Sequence, residues 1–272
     1  MQPVADGGAS QSRWADRTFL RSDQYRTEDN LRARQSIYAY QQPRIDLPRA
    51  VLDITATEHG DAIVDVGCGN GRYLAELGRR DHRGPLIGVD ISRGMLEVTR
   101  KTTPPARFVV ASASTLPLRD DSADLVLSTH MLYHLPDPAL AVREFRRVLK
   151  PGGRLAVVLN AQDHLQELRE SLAKANEQLG IPGPGFGERL SLRHGEELLR
   201  TVFGAVARHD FVSQLVLTDL DPVEAYVRSS ISASSVPKTR QDEYVRLVLS
   251  HMPQDAGGQF SIRAHPGCLV CR

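Results

Sequence analysis

An α/β fold built on a largely parallel sheet is what this sequence predicts, and two observations carry the expectation. Between Ala62 and Leu159, short runs rich in Val, Ile and Leu alternate with longer amphipathic stretches, the pattern of repeated βα units whose strands are covered on both faces. The first of those runs, Ile63 to Val66, ends in a cluster of glycines and passes straight into an amphipathic helix. Strand, tight turn and helix N-terminus therefore follow one another without a linker. The composition allows such a fold, since 272 residues, 41% hydrophobic and 25% charged, suffice for one large domain or one domain with insertions.

Residues 1–18 read as a loose, disordered tail, because the Gly-Gly-Ala-Ser-Gln-Ser stretch offers nothing to bury. From Asp23 to about Ala56 the pattern is helical, in two pieces broken near Pro43 and Pro48. The repeated units then predict strands at 63–66, 86–90, 107–110, 124–128 and 154–159, with helices at 71–79, 93–101 and 138–149 between them. Lys150-Pro-Gly-Gly153 stops the last of these helices and turns the chain into the next strand. Beyond Asn160, a helix at 164–179 leads into a mobile loop or lid at 180–187, where Gly and Pro are too dense for regular structure. A short helix at 191–202, a strand at 206–217, helices at 222–230 and 239–251 and a last strand at 260–271 complete the reading.

Several function classes recede on composition. Lys and Arg number 34 against 33 Asp and Glu, a net charge of +1, so no long-range field gathers polyanions and nucleic acid is not the expected partner. No apolar run approaches the roughly 20 residues that span a bilayer, and Met1 to Asp16 lacks a basic-then-apolar leader pattern. A cytoplasmic protein without membrane contact is expected. Of three cysteines, Cys268 and Cys271 have metal or redox spacing with His265 ahead of them, but zinc needs about four ligands and no second pair exists. The expectation is no metal, with both cysteines packed inside the final strand.

The informative segment is Ile63-Val-Asp65-Val-Gly67-Cys-Gly69-Asn70-Gly71. Its G-x-G-x-G spacing is one residue shorter than the dinucleotide fingerprint G-x-G-x-x-G, and no phosphate-binding G-x-x-x-x-G-K-[ST] loop occurs anywhere. Asp90 closes the next predicted strand, where a carboxylate can accept both hydroxyls of a ribose lying across the switch point of the sheet. A nicotinamide cofactor would use the same acid, so a dehydrogenase stays a rival at this point.

The company of the motif separates the two. VDVGCGNG, GVDIS, LPLRDDSADLV, MLYHLPDP and LKPGGRL follow one another in an order and at intervals that resemble the class I S-adenosylmethionine-dependent methyltransferases. The likeness is greatest to the small-molecule, type 11 branch that includes ubiquinone and menaquinone methyltransferases and many natural-product enzymes. The resemblance covers about residues 61–160. It implies a Rossmann-like, doubly wound seven-stranded sheet, mostly parallel with an antiparallel last strand, plus an N-terminal helical lid and a helical insertion. The strand at 206–217 is expected to share the antiparallel direction of the last one. The organisation that follows is a lid at 19–60, a cofactor-binding core at 61–160 and, at 161–272, capping helices with the last two strands.

Carried over residue by residue, the resemblance implies that Asp65 orients the methionine amino group of S-adenosylmethionine through the glycine turn. Gly67, Gly69 and Gly71, with Asn70 among them, let the cofactor lie on backbone. Asp90 holds the ribose hydroxyls, and Ile91 and Met95 pack on the adenine. Relatives often carry an Asp after the third strand for the adenine amino group; here Ser112, followed by Ala113, stands in its place. Thr129 falls where relatives contact the methionine moiety. Arg34 and Tyr38 share a face of the N-terminal helix, where such enzymes fold a segment over the cofactor and an Arg can pair with its carboxylate. The product would be S-adenosylhomocysteine.

For the acceptor, the expected reaction is methyl transfer to O or N, less favourably C, of a small molecule in specialised metabolism. The segment Ser128-Thr129-His130-Met131 lacks the Asn/Asp-Pro-Pro-aromatic block of base methyltransferases, and no Pro-Cys nucleophile occurs. Candidate bases are His130 and His134 at the mouth of the fourth strand, with Asp163, His164 and His194 behind them. The competing role for His134 is to stabilise its loop. A protein or peptide methyltransferase and a non-catalytic cofactor-binding protein are the alternatives, and a monomer or homodimer is expected.

Overall fold

The computed structural model describes residues 16–20, 25, 27–181, 190–234 and 236–272, so the tail up to residue 15 and most of the 180–187 loop lie outside the described residues. Among the described residues ten strands form two sheets: β1 Gln41–Gln42, β2 Ile63–Val66, β3 Leu86–Asp90, β4 Arg107–Val110, β5 Ala123–Thr129, β6 Leu149–Asn160, β7 Val206–Asp210, β8 Ser213–Leu217, β9 Phe260–Ala264 and β10 Pro266–Cys271. The larger sheet has the order β4-β3-β2-β5-β6-β10-β7. Its strands run parallel except β10, which is antiparallel to both of its neighbours. The order reverses between β2 and β5, and this reversal opens a crevice at the carboxyl ends of those strands.

Alternation along each strand sorts its side chains to two cores. Leu125 and Leu127 of β5 and Ala156 and Val158 of β6 face one core, Val126, Leu155 and Val157 the other. The first core is closed by helices α2 (Leu47–Ile54), α3 (Arg72–Arg79) and α4 (Arg93–Thr102), through Leu52, Leu74, Leu77 and Leu96. The second is closed by α5 (Pro138–Val148) and α7 (Leu192–Arg200), through Phe145 and Leu199. Helix starts follow capping chemistry. Asp137 accepts from the N–H groups of Ala139 and Leu140 with Pro138 in the first turn, and Ser92 and Ser191 cap α4 and α7.

A third core stands apart. Helices α6 (Gln166–Leu179), α8 (Asp221–Arg228) and α9 (Gln241–Ser250) pack with the antiparallel sheet β1-β8-β9 around Ile37, Leu172, Leu215, Val227, Val248 and Ile262. A two-turn helix, α1 (Asp29–Ser36), reaches it from the N-terminal side.

Four sequence expectations need correction. The strand expected at 206–217 is two strands in different sheets, and its first half, β7, runs with the parallel strands, so only the last strand is reversed. The strand expected at 260–271 also divides, at His265-Pro266. Lys150 to Gly153 lie within β6, where a register shift opposite Ala123 to Leu125 absorbs them. Helix α6 begins at Gln166 rather than 164, because Leu165 takes the left-handed conformation (φ +52°).

Cys268 and Cys271 sit three residues apart on β10, which puts them on opposite faces and in different cores. Burial pushes the Cys271 thiol up to about 12 and the Cys268 thiol higher still. Among the described residues no group of three or more His, Cys, Asp or Glu is placed to hold a metal, and no helix is long and apolar enough to cross a membrane. Cys268→Ser is therefore expected to lower stability by about 1–3 kcal/mol through a buried hydroxyl, measured by urea unfolding, while a zinc chelator leaves the melting temperature unchanged.

Candidate functional site

The glycine turn between β2 and α3 is held by backbone. The N–H groups of Gly67 and Cys68 both donate to the Val89 carbonyl, at 2.7 and 3.1 Å, and Thr99 Oγ1 donates to the Gly69 carbonyl at 2.6 Å. Gly71 has φ +77°, and a Cβ there would stand 2.5 Å from the Thr99 methyl, so glycine is required by conformation and by space. Asp90, at the tip of β3, accepts from the Gly69 N–H at 3.0 Å through one oxygen and from the Ser92 N–H at 2.8 Å through the other. Burial raises its carboxyl above the usual range, with the N–H groups of Ser92, Gly69 and Ile91 acting the other way.

Asp65 is a different case. It is fully buried and neither carboxylate oxygen has a hydrogen-bond partner among the described residues. Burial first, and the Asp90 charge second, push its carboxyl up to about 7.

A cavity of about 880 Å³ opens over this turn and runs up to the third core. Every cofactor candidate the sequence singled out, and both leading candidate bases, His130 and His134, line it except Asp65 and Gly71, which stand behind the wall. At the mouth of β5, His130 is a non-glycine residue at φ +55°, with its N–H donating to the Val158 carbonyl at 2.9 Å. Such backbone strain concentrates at functional sites. Of the secondary candidate bases only His164 reaches the wall. Asp163 pairs with His265 and Arg263, and His194 turns back on Ser191.

The N-terminal segment closes one side. Asn70 Nδ2 donates to Gln35 Oε1 at 3.0 Å, and Ser92 Oγ donates to the Tyr25 carbonyl at 2.7 Å. The Tyr25 hydroxyl lies 3.1 Å from His134 Nε2, and the Arg34 guanidinium stands 5.5 Å from the Tyr25 ring centre. Arg34 Nη1 donates to the Ser229 carbonyl at 2.7 Å, whereas Nη2 is buried without a partner among the described residues. Sequence reasoning expected capping helices beyond residue 160 but did not single out Tyr25, Gln35 or the cavity-wall residues Leu168, Leu172, Tyr226 and Ser232. The amphipathic spacing of α6 and α8 was the visible signal for Leu168, Leu172 and Tyr226.

Residues 64–157 match a methyltransferase domain family. An uncharacterised methyltransferase of Mycobacterium tuberculosis is 29% identical over 80% of this chain and 85% of its own length. Demethylmenaquinone methyltransferase of Staphylococcus aureus is 30% identical over 51% of this chain and 58% of that one. The chain carries a class I methyltransferase domain. The matched share of the relative's own length is 32% for a protein of Streptomyces fradiae and 85% for the mycobacterial one. The fold agrees: a crystal structure from Bacillus halodurans assigned as a methyltransferase superposes with a TM-score of 0.60, at 17% identity, over 84% of this chain and 99% of that one.

The residues lining the cavity suit the S-adenosylmethionine that the methyltransferase family implies. Arg34 lines the cavity and keeps one guanidinium nitrogen buried without a partner among the described residues, a donor that a ligand carboxylate would satisfy. The Asp90 carboxylate lines the same cavity beside Ile91 and Met95.

Asp65 makes the ligand-free fold sensitive to pH. Because its folded value lies above the unfolded one, the stability it allows is fully present below about pH 4 and is lost as pH rises through about 7. Asp65→Asn should therefore match wild type near pH 4 and exceed it above pH 7 by up to about 4 kcal/mol, read from urea midpoints across that range.

Proposed function

We propose that this chain transfers the methyl group of S-adenosylmethionine to an O or N atom, less favourably C, of a small organic acceptor in specialised metabolism. One observation carries the reading: a single cavity has the glycine turn and Asp90 at one end and a largely apolar lobe of the third core at the other. A cofactor of about 27 non-hydrogen atoms takes roughly 500 Å³ at about 20 Å³ per atom. In a cavity of about 880 Å³ that leaves room for an acceptor of about 15–20 atoms. The lobe's lining by Leu165, Leu168, Leu172 and Tyr226 favours an apolar small molecule over a peptide chain.

In this reading Asp90 accepts the ribose hydroxyls while Gly69 and Ser92 hold its remaining lone pairs. Arg34 Nη2 takes the carboxylate, Ile91 and Met95 sandwich the adenine, and Ser112 with Ala113 borders its edge. Gly67, Gly69 and Asn70 bring backbone and amide close to the methionine part, with Thr129 beyond them. Asp65 and Gly71 shape the turn from behind. The bound cofactor supplies an already activated sulfonium methyl, so the protein's work is positioning and exclusion of water. His130 or His134 removes a proton where the acceptor carries one. Tyr25 holds His134 Nε2, and the place of His130 at the tip of β5, beside the switch point of the sheet, favours it as the base.

Calorimetry with S-adenosylhomocysteine tests the cofactor half. Wild type should bind, and Asp90→Ala should weaken binding by about ten- to a hundredfold; no heat with wild type sinks the reading. Methyl transfer from labelled cofactor into the small-molecule fraction of a source extract tests the rest. His130→Ala should slow it by about a hundredfold or more and His134→Ala far less, while label confined to protein would favour the peptide alternative. Label in neither fraction would favour a silent binder.

A further inference from the structure

Tyr38 lies on the tight turn Ile37–Tyr40 that follows α1, and His164 in the 161–165 connection between β6 and α6. Both line the cavity where it meets the third core. Their rings stack with centres 6.4 Å apart and planes 15° from parallel, and the Tyr38 hydroxyl is 3.1 Å from His164 Nε2.

The connection that carries His164 is pinned to the β9–β10 junction. The Ala161 N–H donates to the His265 carbonyl at 2.9 Å, and the Leu165 N–H to the Arg263 carbonyl at 2.7 Å, with Leu165 held in the left-handed conformation. The His265 N–H donates to His164 Nδ1 at 2.9 Å. A backbone N–H has only a proton to offer, so Nδ1 is the acceptor and the ring hydrogen resides on Nε2. Nε2–H therefore donates to the Tyr38 oxygen. With one lone pair so engaged, the hydroxyl proton of Tyr38 is turned away from His164. Burial, with the Tyr226 and Tyr133 hydroxyls adding to it, holds the Tyr38 hydroxyl well above its ordinary value, so that proton stays in place.

Because Nδ1 is taken, His164 is not a base for the reaction, and because Tyr38 packs against the third core, its partner is the acceptor rather than the cofactor. We propose that Tyr38 reads the methyl acceptor as a hydrogen-bond donor, aimed by His164, and that the acceptor is an apolar molecule presenting an oxygen without its own hydrogen, such as a carbonyl. His164 is the positioning residue, acting through Tyr38. This assignment rests on the methyltransferase reading above.

The test uses the full chain saturated with S-adenosylhomocysteine and three probes of one shape: benzophenone, whose oxygen only accepts, diphenylamine, whose N–H donates, and diphenylmethane, which does neither. Wild type should bind benzophenone about tenfold more tightly than diphenylmethane, with diphenylamine gaining nothing. Tyr38→Phe should erase the preference while changing the S-adenosylhomocysteine Kd less than twofold. His164→Gln, whose amide nitrogen can replace Nε2–H, should retain the preference, and His164→Asn, which is too short, should lose it. Independently of any variant's folding, nitrogen NMR of wild type should show His164 protonated on Nε2 and bare on Nδ1. The proposal is overturned by the opposite tautomer, by no probe binding, by equal binding of ketone and hydrocarbon, or by a preference that survives Tyr38→Phe. It is overturned as well by a tenfold loss of S-adenosylhomocysteine affinity in Tyr38→Phe, which would return Tyr38 to the cofactor. Failure of wild type to bind S-adenosylhomocysteine strikes the methyltransferase reading itself, a separate outcome.

Discussion

Two N–H groups sharing one carbonyl organise this molecule. Gly67 and Cys68 both donate to Val89, which ties the end of β2 to β3 just before Asp90. That tether brings the Gly69 N–H onto the Asp90 carboxylate and fixes where α3 begins. The strand order adds the other half of the constraint. With β3 and β4 to one side of β2 and β5 and β6 to the other, the turn stands at the switch point of the sheet and lines the cavity there.

The third core then determines what else can enter. Its helices and small sheet do not extend the main sheet; they form a separately packed body over the crevice. Its contribution to the cavity is chiefly leucine and tyrosine, against the glycine, carboxylate and amide groups at the opposite end. One end of the cavity is therefore built of backbone donors and fixed charge, suited to a polar ligand of known shape. The other end is apolar with a few polar atoms, suited to discrimination among acceptors.

The parts legible in the sequence were those governed by local periodicity. The strands β2, β3, β5 and the second half of β6 announce themselves because they are covered on both faces, and the glycine turn because Gly67, Gly69 and Gly71 all adopt positive φ. The division of 206–217 was not legible. Val206 to Leu217 contains neither Gly nor Pro, and its break at Phe211-Val212 is imposed by distant partners, β10 on one side and β1 with β9 on the other. His265-Pro266-Gly267 did mark the second break, since a proline there interrupts pairing. In the site, Asp90 and the residues after it could be placed by register alone. The pairing of Tyr25 with His134 spans 109 residues and that of Tyr38 with His164 spans 126. Only the folded chain brings these partners together, and no spacing rule reaches them.

Helix α1 is tied at adjacent residues to two bodies that pack separately. Gln35 receives the Asn70 amide of the glycine turn, and Arg34 donates to the Ser229 carbonyl at the end of α8. A helix so shared cannot be displaced by one ligand without disturbing the contacts of the other. For the cofactor and acceptor proposed above, occupancy of the two ends would be linked through this helix, and by thermodynamic reciprocity whatever factor the first ligand contributes to the affinity of the second, the second would return to the first.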